Sequence, residues 1–397
     1  MTRKVSFGLD QLEIERSPSR RFPGNIGYLS HSAAVSLKNE LGLAVMKRVF
    51  NTNLKKVFGP QHGFVTDVQD NMVETDDFHH PYFNLPIYSL YGETRVPTDQ
   101  MLEGIDILFV DLQDVGTRVY TYITTLALTM ERCAKLGIKV VVLDRPNPIG
   151  GEIIEGPVLK SDWASFVGHH PIPQRHALTI GEIANLQNKV FKTNCELEVI
   201  KMEGWRRSFH WVDINRPWIN PSPNLPTYES SLIFPGSVLY EGTSISEGRG
   251  TTRSLEMLGS PNIEPFSFRD LLMKKLTSET DLSNFYLRPV QFYPMFQKHA
   301  GKPCGGVHLQ PIDDFRQLRS WRLGAFLMRE FAKLNDFSWN KDPYEYETHS
   351  LAINFINGSE ELKNWIECDG SYEDLINWET YGHDEFKSLK EDVSLYL

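Results

Sequence analysis

The densest run of chemically capable side chains is Asp106-Ile-Leu-Phe-Val-Asp-Leu-Gln-Asp-Val-Gly-Thr-Arg-Val-Tyr-Thr-Tyr122. A continuous apolar stretch, Ile107 to Val110, gives way abruptly to Asp111, Gln113, Asp114, Arg118, Tyr120 and Tyr122. Two carboxylates, an amide, a guanidinium and two phenols in so short a span can hold a polyhydroxylated ligand. The apolar stretch reads as a strand buried on both faces of a parallel sheet. The polar cluster then lies at the strand's carboxyl end, where open α/β sheets place their ligands.

Further candidates lie elsewhere. His62 sits in a tight Gly59-Pro-Gln-His-Gly63 loop, as a proton carrier or as a turn histidine satisfied by backbone. Glu247-Gly-Arg-Gly-Thr-Thr-Arg253 precedes an amphipathic stretch, Leu255 to Leu258, read as a helix start. Free N–H groups there, with Arg249 and Arg253, would make a carboxylate or phosphate site. The plainer reading is a glycine-rich turn with solvated arginines. Asp144-Arg-Pro-Asn147 follows another strand. Asp144 could orient a sugar hydroxyl or form an internal ion pair. Glu155 and Glu241 each stand beside a glycine, and either could be a general acid; the sequence does not rank them. Tyr120, Tyr122, Trp205, Trp211, Trp218 and Tyr240 could stack on sugar rings, although most such aromatics are core. The pairs His79-His80 and His169-His170 lack ligand partners at useful spacing and read as structural.

These residues need a scaffold. Short apolar runs at residues 25–29, 56–58, 85–90, 106–111 and 139–143 alternate with helical patterns at 36–50 and 122–136. That rhythm predicts an α/β domain: a Rossmann-like, doubly wound, mostly parallel sheet. Each run ends in a polar or Gly/Pro cluster, so the loops converge on one rim. Thr179 with Glu182 makes a capping box for a helix to residue 191, and 197–200 reads as a strand. Arg216 to Pro226 is rich in Pro and Asn, and the domain boundary is placed just after it, giving 1–228 and 229–397. The second part mixes strands (290–293, 307–309, 350–355) with helices (268–276, 317–334), as a smaller α+β domain.

At 397 residues, two domains are the natural expectation. The net charge of −10 disfavours nucleic acid or an anionic membrane as partner. Cys133, Cys195, Cys304 and Cys368 are widely spaced, so neither a disulfide framework nor structural zinc is expected. No phosphate-loop, dinucleotide-binding, nucleophile-elbow or zinc-protease fingerprint occurs. A nucleotide-dependent oxidoreductase is therefore disfavoured despite the fold rhythm. No signal peptide or membrane span is visible, which points to the cytoplasm.

Many segments together carry a resemblance. They are Gly59-Pro-Gln-His-Gly-Phe64, Leu85-Pro-Ile-Tyr-Ser-Leu-Tyr-Gly92, Asp111-Leu-Gln-Asp-Val-Gly-Thr-Arg118, Tyr120-Thr-Tyr122 and Leu143-Asp-Arg-Pro-Asn-Pro148. They continue through Glu155-Gly-Pro157, Pro221-Ser-Pro-Asn224, Tyr240-Glu-Gly-Thr243, Ser246-Glu-Gly-Arg-Gly-Thr-Thr-Arg253, Lys298-His-Ala-Gly301 and Cys304-Gly-Gly306. In this order they resemble the exo-β-N-acetylmuramidases of the NamZ type, from about residue 25 to the C-terminus. The resemblance implies a Rossmann-like N-terminal domain, a smaller C-terminal domain and an active site in the cleft between them. It implies removal of a terminal β-linked N-acetylmuramic acid from peptidoglycan fragments, so the partner is a small sugar or muropeptide. Glycoside hydrolysis needs no cofactor or metal, and none is expected. The lactyl carboxylate of that sugar suits Arg249, helped by N–H groups near Thr251, or Arg118. Its hydroxyls and acetamide suit Asp111, Gln113, Asp114 and Asn224, with Tyr120, Asp144 and Asn147 completing the candidate binding set.

The chain departs from the pattern at one important place. The family usually reads Pro-Glu-His-Gly where this chain has Pro60-Gln61-His62-Gly63. A glutamine cannot give or take the proton that hydrolysis requires. Either another carboxylate serves, with Glu93, Glu241 and Glu247 as candidates, or the chain is a weakened or non-catalytic sugar-binding relative. A smaller departure is Arg175-His-Ala-Leu178, where the family tends to have glycine after the histidine.

Overall fold

Strand β5 (Ile107–Asp111) is buried along its whole length, and its side chains divide between two cores. Leu108 and Val110 join the core that holds Ile123, Leu126 and Met130 of the helix Tyr122–Leu136. Ile107 and Phe109 join the opposite one, with Leu43 and Met46 of the helix Gly42–Phe50. This is the period-two alternation of a strand covered by helices on both sides. The computed structural model describes residues 5–70, 72–312 and 314–397.

Around β5 the sheet is completed by β1 (Ile26–Ser30), β2 (Leu54–Gly59), β3 (Phe78–His80), β4 (Leu85–Ser89), β6 (Lys139–Leu143) and β7 (Leu197–Ile200). The spatial order is β3-β4-β2-β1-β5-β6-β7. All neighbours are parallel except the edge strand β3, which runs antiparallel to β4. The doubly wound, mostly parallel sheet is thus the one the sequence predicts. The chain winds outward from β1 through β2 to β4, then returns to β5 on the other side of β1. Between β1 and β5 lies the topological switch point, where such sheets open a ligand crevice. Ser30 is in register with Asp111 there, so both strands end at one rim.

Helix 122–136 stops at Gly137, whose φ of 68° is the left-handed conformation glycine tolerates. The Ile138 N–H then bonds the Cys133 carbonyl at 2.9 Å and turns the chain into β6.

The second sheet is antiparallel: β8 (Met257–Ser260), β9 (Phe285–Phe292) and β10 (Cys304–Pro311), ordered β8-β10-β9. The helix Pro265–Glu279 packs against β9 and β10. The helices Tyr228–Ser237 and Ser320–Phe331 cross where Gly236 meets Gly324. A Cβ on Gly236 would lie 3.2 Å from the Gly324 Cα and would collide with the Ser320 carbonyl. This close crossing sets the wall formed by Phe234 and Val238.

Two elements differ from expectation. Residues 350–355, read as a strand, lie in the helix Ala352–Asn357 and the turn before it. Residues 255–258, read as a helix start, lead into β8. No helix N-terminus therefore follows the Glu247–Arg253 loop. The chain end returns to the first sheet: the Tyr396 hydroxyl donates to Asp144 at 2.5 Å, and the Leu395 N–H to Glu182 at 2.8 Å. Among the described residues no helix is long and apolar enough to cross a membrane.

Candidate active site

The loops after β2 and β5 meet residues 222–255 and 344–345 around a narrow cleft. Gln61 and His62 come from the first loop, Tyr120 and Thr121 from the second. Ser222, Leu225, Phe234, Val238, Glu241, Arg249, Leu255, Tyr344 and Glu345 close the far side. Its lining therefore joins the rim of the parallel sheet to the C-terminal half.

Two carboxylates line this cleft in opposite environments. Glu241 accepts from Arg249 Nη2 at 2.5 Å and from the Tyr344 hydroxyl at 2.6 Å. Burial alone would push its carboxyl up, but the adjacent guanidinium and the phenol hold it below the usual range. Among the described residues, no cation is in hydrogen-bond contact with Glu345. The Tyr91 hydroxyl lies 2.9 Å from both its oxygens, and Gln61 Nε2 lies 3.4 Å from one. Burial pushes Glu345 up to about 7, against the opposing pull of Tyr91.

Arg249 is the hub of a charge cluster. Its Nε lies 3.2 Å from Glu247, which is also held by Lys298 Nζ at 2.8 Å. Two cations thus meet two carboxylates. Arg249 Nη1 is buried and has no hydrogen-bond partner among the described residues.

The Gln61 amide is fixed from both ends, since its oxygen accepts from the Thr121 hydroxyl at 2.6 Å. His62 has a φ of 70°, uncommon for a residue with a Cβ. Its Nδ1 lies 2.9 Å from the Val68 carbonyl, which can only accept. Nδ1 therefore carries the proton and Nε2 the lone pair. Burial pushes the ring down to about 4, so it is neutral at working pH. NMR is expected to show no titration of this ring between about pH 5.5 and 8. A midpoint near the ordinary value would mean an exposed, chargeable ring instead.

Of the residues anticipated from sequence, Gln61, His62, Tyr120, Glu241 and Arg249 are brought together on the cleft. Others form the frame beneath it. Asp111 accepts from Arg145 Nε at 2.5 Å and from the Tyr28 hydroxyl at 2.6 Å. Gln113 donates to the carbonyls of Asp114 and Pro146, and Asp114 accepts from the Gly116 N–H at 2.7 Å. Arg118 is not at an anion site. It donates to the carbonyls of Pro157, Ile172, Ile356 and Asn357, and burial lowers it to about 9. It ties the β5 loop to the helix Ala352–Asn357. Asp144 accepts from Thr179, Gly181 and Tyr396, and Asn147 bridges Leu178 and Ile149.

Asn224 clasps Gln69, donating to its carbonyl at 2.5 Å, and so holds the His62 loop from behind. Thr251 bonds the Gly248 carbonyl at 2.6 Å, stabilising the turn that presents Arg249. Glu247 lies behind Arg249, and Glu93 is exposed in a separate groove. Sequence reasoning missed Thr121, Ser222, Tyr344 and Glu345 on the cleft, and Tyr91 behind Glu345. The Pro343-Tyr-Glu-Tyr346 alternation was the available signal, but it lies outside any regular element.

Comparison with known proteins agrees with this architecture. Residues 26–229 match the family described as exo-β-N-acetylmuramidase NamZ, N-terminal, and residues 232–396 match its C-terminal counterpart. The chain is 36% identical over 395 residues to the peptidoglycan β-N-acetylmuramidase NamZ of Bacillus subtilis strain 168, covering 99% of this chain and 92% of that protein. A crystal structure of a DUF1343 family protein from Bacteroides fragilis NCTC 9343 is similar with a TM-score of 0.87 at 29% identity, over 99% of both chains. A second such protein from the same organism gives 0.75 at 26% identity, again over 99% of both. The chain belongs to the NamZ exo-β-N-acetylmuramidase family.

Proposed function

We propose that the protein hydrolyses the terminal β-linked N-acetylmuramic acid from peptidoglycan fragments. The observation that carries this reading, beside family membership, is the Glu241–Arg249 pair on the cleft wall. It offers an ionised carboxylate to the positive charge that develops at the anomeric carbon. It also offers Arg249 Nη1, which has no hydrogen-bond partner among the described residues, to an anionic substituent. N-acetylmuramic acid differs from N-acetylglucosamine by a lactyl ether whose carboxylate is such a substituent. Tyr120 and Phe234 supply apolar surface for the sugar ring, and the neutral His62 can accept a hydroxyl proton at Nε2. Gln61 favours a second reading, a sugar-binding relative without turnover.

Methylumbelliferyl β-N-acetylmuramide separates the two, with the β-N-acetylglucosaminide as control. Hydrolysis of the muramide with much slower release from the control is the expected result. A charge-assisted contact to the lactyl group is worth roughly 1.5–3 kcal/mol, or about tenfold to a hundredfold in discrimination. Saturable binding with no release would favour the binding relative. Equal rates on both sugars would remove Arg249 from the lactyl subsite.

A further inference from the structure

We infer that Glu345 is the general acid of this cleft, occupying from the opposite loop the place that the Gln61 side chain cannot fill. The assignment rests on the glycosidase reading above.

Three geometric facts support it. First, the Glu345 carboxyl lines the cleft and is within hydrogen-bond reach of the Gln61 amide. An acid at either position would therefore address the same part of the cleft. Second, Tyr91 and Gln61 both donate to the Glu345 oxygens. The Gln61 NH2 group can only donate, and Tyr91 can donate to one Glu345 oxygen while a proton on the other is turned to a substrate oxygen. Third, the backbone is strained where this side chain is presented. Glu345 has φ 49° and Tyr346 φ 68°, adjacent left-handed residues that both carry a Cβ. Such conformations cost free energy and gather at functional sites.

The electrostatics agree. The charged and titratable groups facing Glu345 are Tyr91 and Arg95 from the loop after β4, with Glu241 across the cleft. Tyr344 is its neighbour, and His62 and Arg249 share the lining. Burial outweighs Arg95 and Tyr91, so Glu345 titrates near 7, whereas Glu241 stays ionised. Two carboxyls pushed apart in this way are an acid and its ionised counterpart.

In the step itself, Glu345 gives its proton to the glycosidic oxygen as the bond from the anomeric carbon to that oxygen breaks. The bond's electron pair stays on the oxygen, and the aglycone leaves as an alcohol. The attacking water delivers its hydroxyl to the anomeric carbon, and its proton replaces the one that Glu345 gave up. No oxidant, metal or other co-reactant enters the balance.

The test compares two substrates. N-acetylmuramyl-β-N-acetylglucosamine needs its leaving group protonated, whereas a dinitrophenyl β-N-acetylmuramide does not. Glu345→Gln is expected to lose about 10²–10⁴-fold on the disaccharide and little on the dinitrophenyl glycoside. In wild type kcat/KM on the disaccharide should fall above about pH 7, and Glu345→Gln should abolish that limb. Tyr91→Phe removes a donor that favours the charged carboxylate, so the limb should move to higher pH. Gln61→Glu sets a second carboxyl beside Glu345, which should also raise the limb.

Undiminished disaccharide cleavage by Glu345→Gln overturns the assignment. So does a gain of about 10²-fold or more in Gln61→Glu, which would place the acid at position 61. If Glu345→Gln fails to fold, an unmoved limb in Tyr91→Phe overturns it instead. A wild type that cleaves neither substrate removes the glycosidase reading, and the assignment with it.

Discussion

Arg145→Ala is expected to lower the unfolding free energy by about 3–5 kcal/mol, because it leaves a buried carboxylate without its partner. Arg145 is 1% exposed and Asp111 is wholly buried, with their ion pair at 2.5 Å. The pair sits where β5 ends, beside the switch point, and the Arg145 guanidinium also lies 5.5 Å from the Phe7 ring. The Tyr28 hydroxyl can still donate to Asp111 in the variant, but a phenol does not neutralise a buried charge. The loss corresponds to about two to four orders of magnitude in the folding constant. Urea unfolding of wild type and variant measures it directly. The double variant Arg145→Met with Asp111→Leu should recover much of the loss, since it removes both charges together. Substrate affinity in the folded fraction of Arg145→Ala should stay near wild type, because neither residue lines the cleft. A stability loss below about 1 kcal/mol would mean that water reaches the pair, as at an exposed bridge.

That strut shows where sequence reading succeeds and where it misleads. The polar cluster after β5 marks a loop that reaches the cleft, because a buried parallel strand announces its end by an abrupt change from apolar to polar. It does not tell which polar groups face a ligand. Gln113, Asp114 and Arg118 bond backbone groups that need partners once buried, and Asp111 pairs with Arg145, so all four help to hold the loop. Tyr120 and Thr121, a few residues on, reach the cleft.

Elements were legible where one periodicity was visible, as in helix 122–136 with its Gly137 stop. Residues 352–357 are buried on every side, so their apolar content showed no period and a helix was read as a strand. Residues 257–260 misled for a related reason. They are too short to show a period, and their pairing is with β10, tens of residues away. The carboxylate opposite Gln61 was beyond local reading altogether. Glu345 is 284 residues away in sequence and lies in an irregular segment. Only the fold brings the two together.

Glu241→Gln is expected to reduce turnover of a muramide by about 10²–10⁴-fold, the usual worth of a group that moves or stabilises charge in the transition state. The substitution keeps size and shape, and its amide oxygen can still accept from either Arg249 or Tyr344. It cannot remain negative, so the carboxylate that opposes charge at the anomeric carbon is lost. Arg249 keeps its contact with Glu247 at 3.2 Å, so the cluster is not left with an orphaned cation. The loss should therefore appear in kcat, with KM and the thermal midpoint changing much less. The pH profile gives an independent readout. Arg249 and Tyr344 hold Glu241 below the ordinary carboxylate range, so wild-type activity should persist into acid until that group is protonated. Glu241→Gln should lose this acidic limb and keep the basic one. Azide provides a third measurement, since a small anion can supply the missing negative charge beside the anomeric carbon and should restore part of the turnover. A variant retaining more than about a tenth of wild-type kcat would sink the role given to Glu241. A loss in KM alone would make Glu241 a binding group, and the Arg249 clamp a means of positioning it.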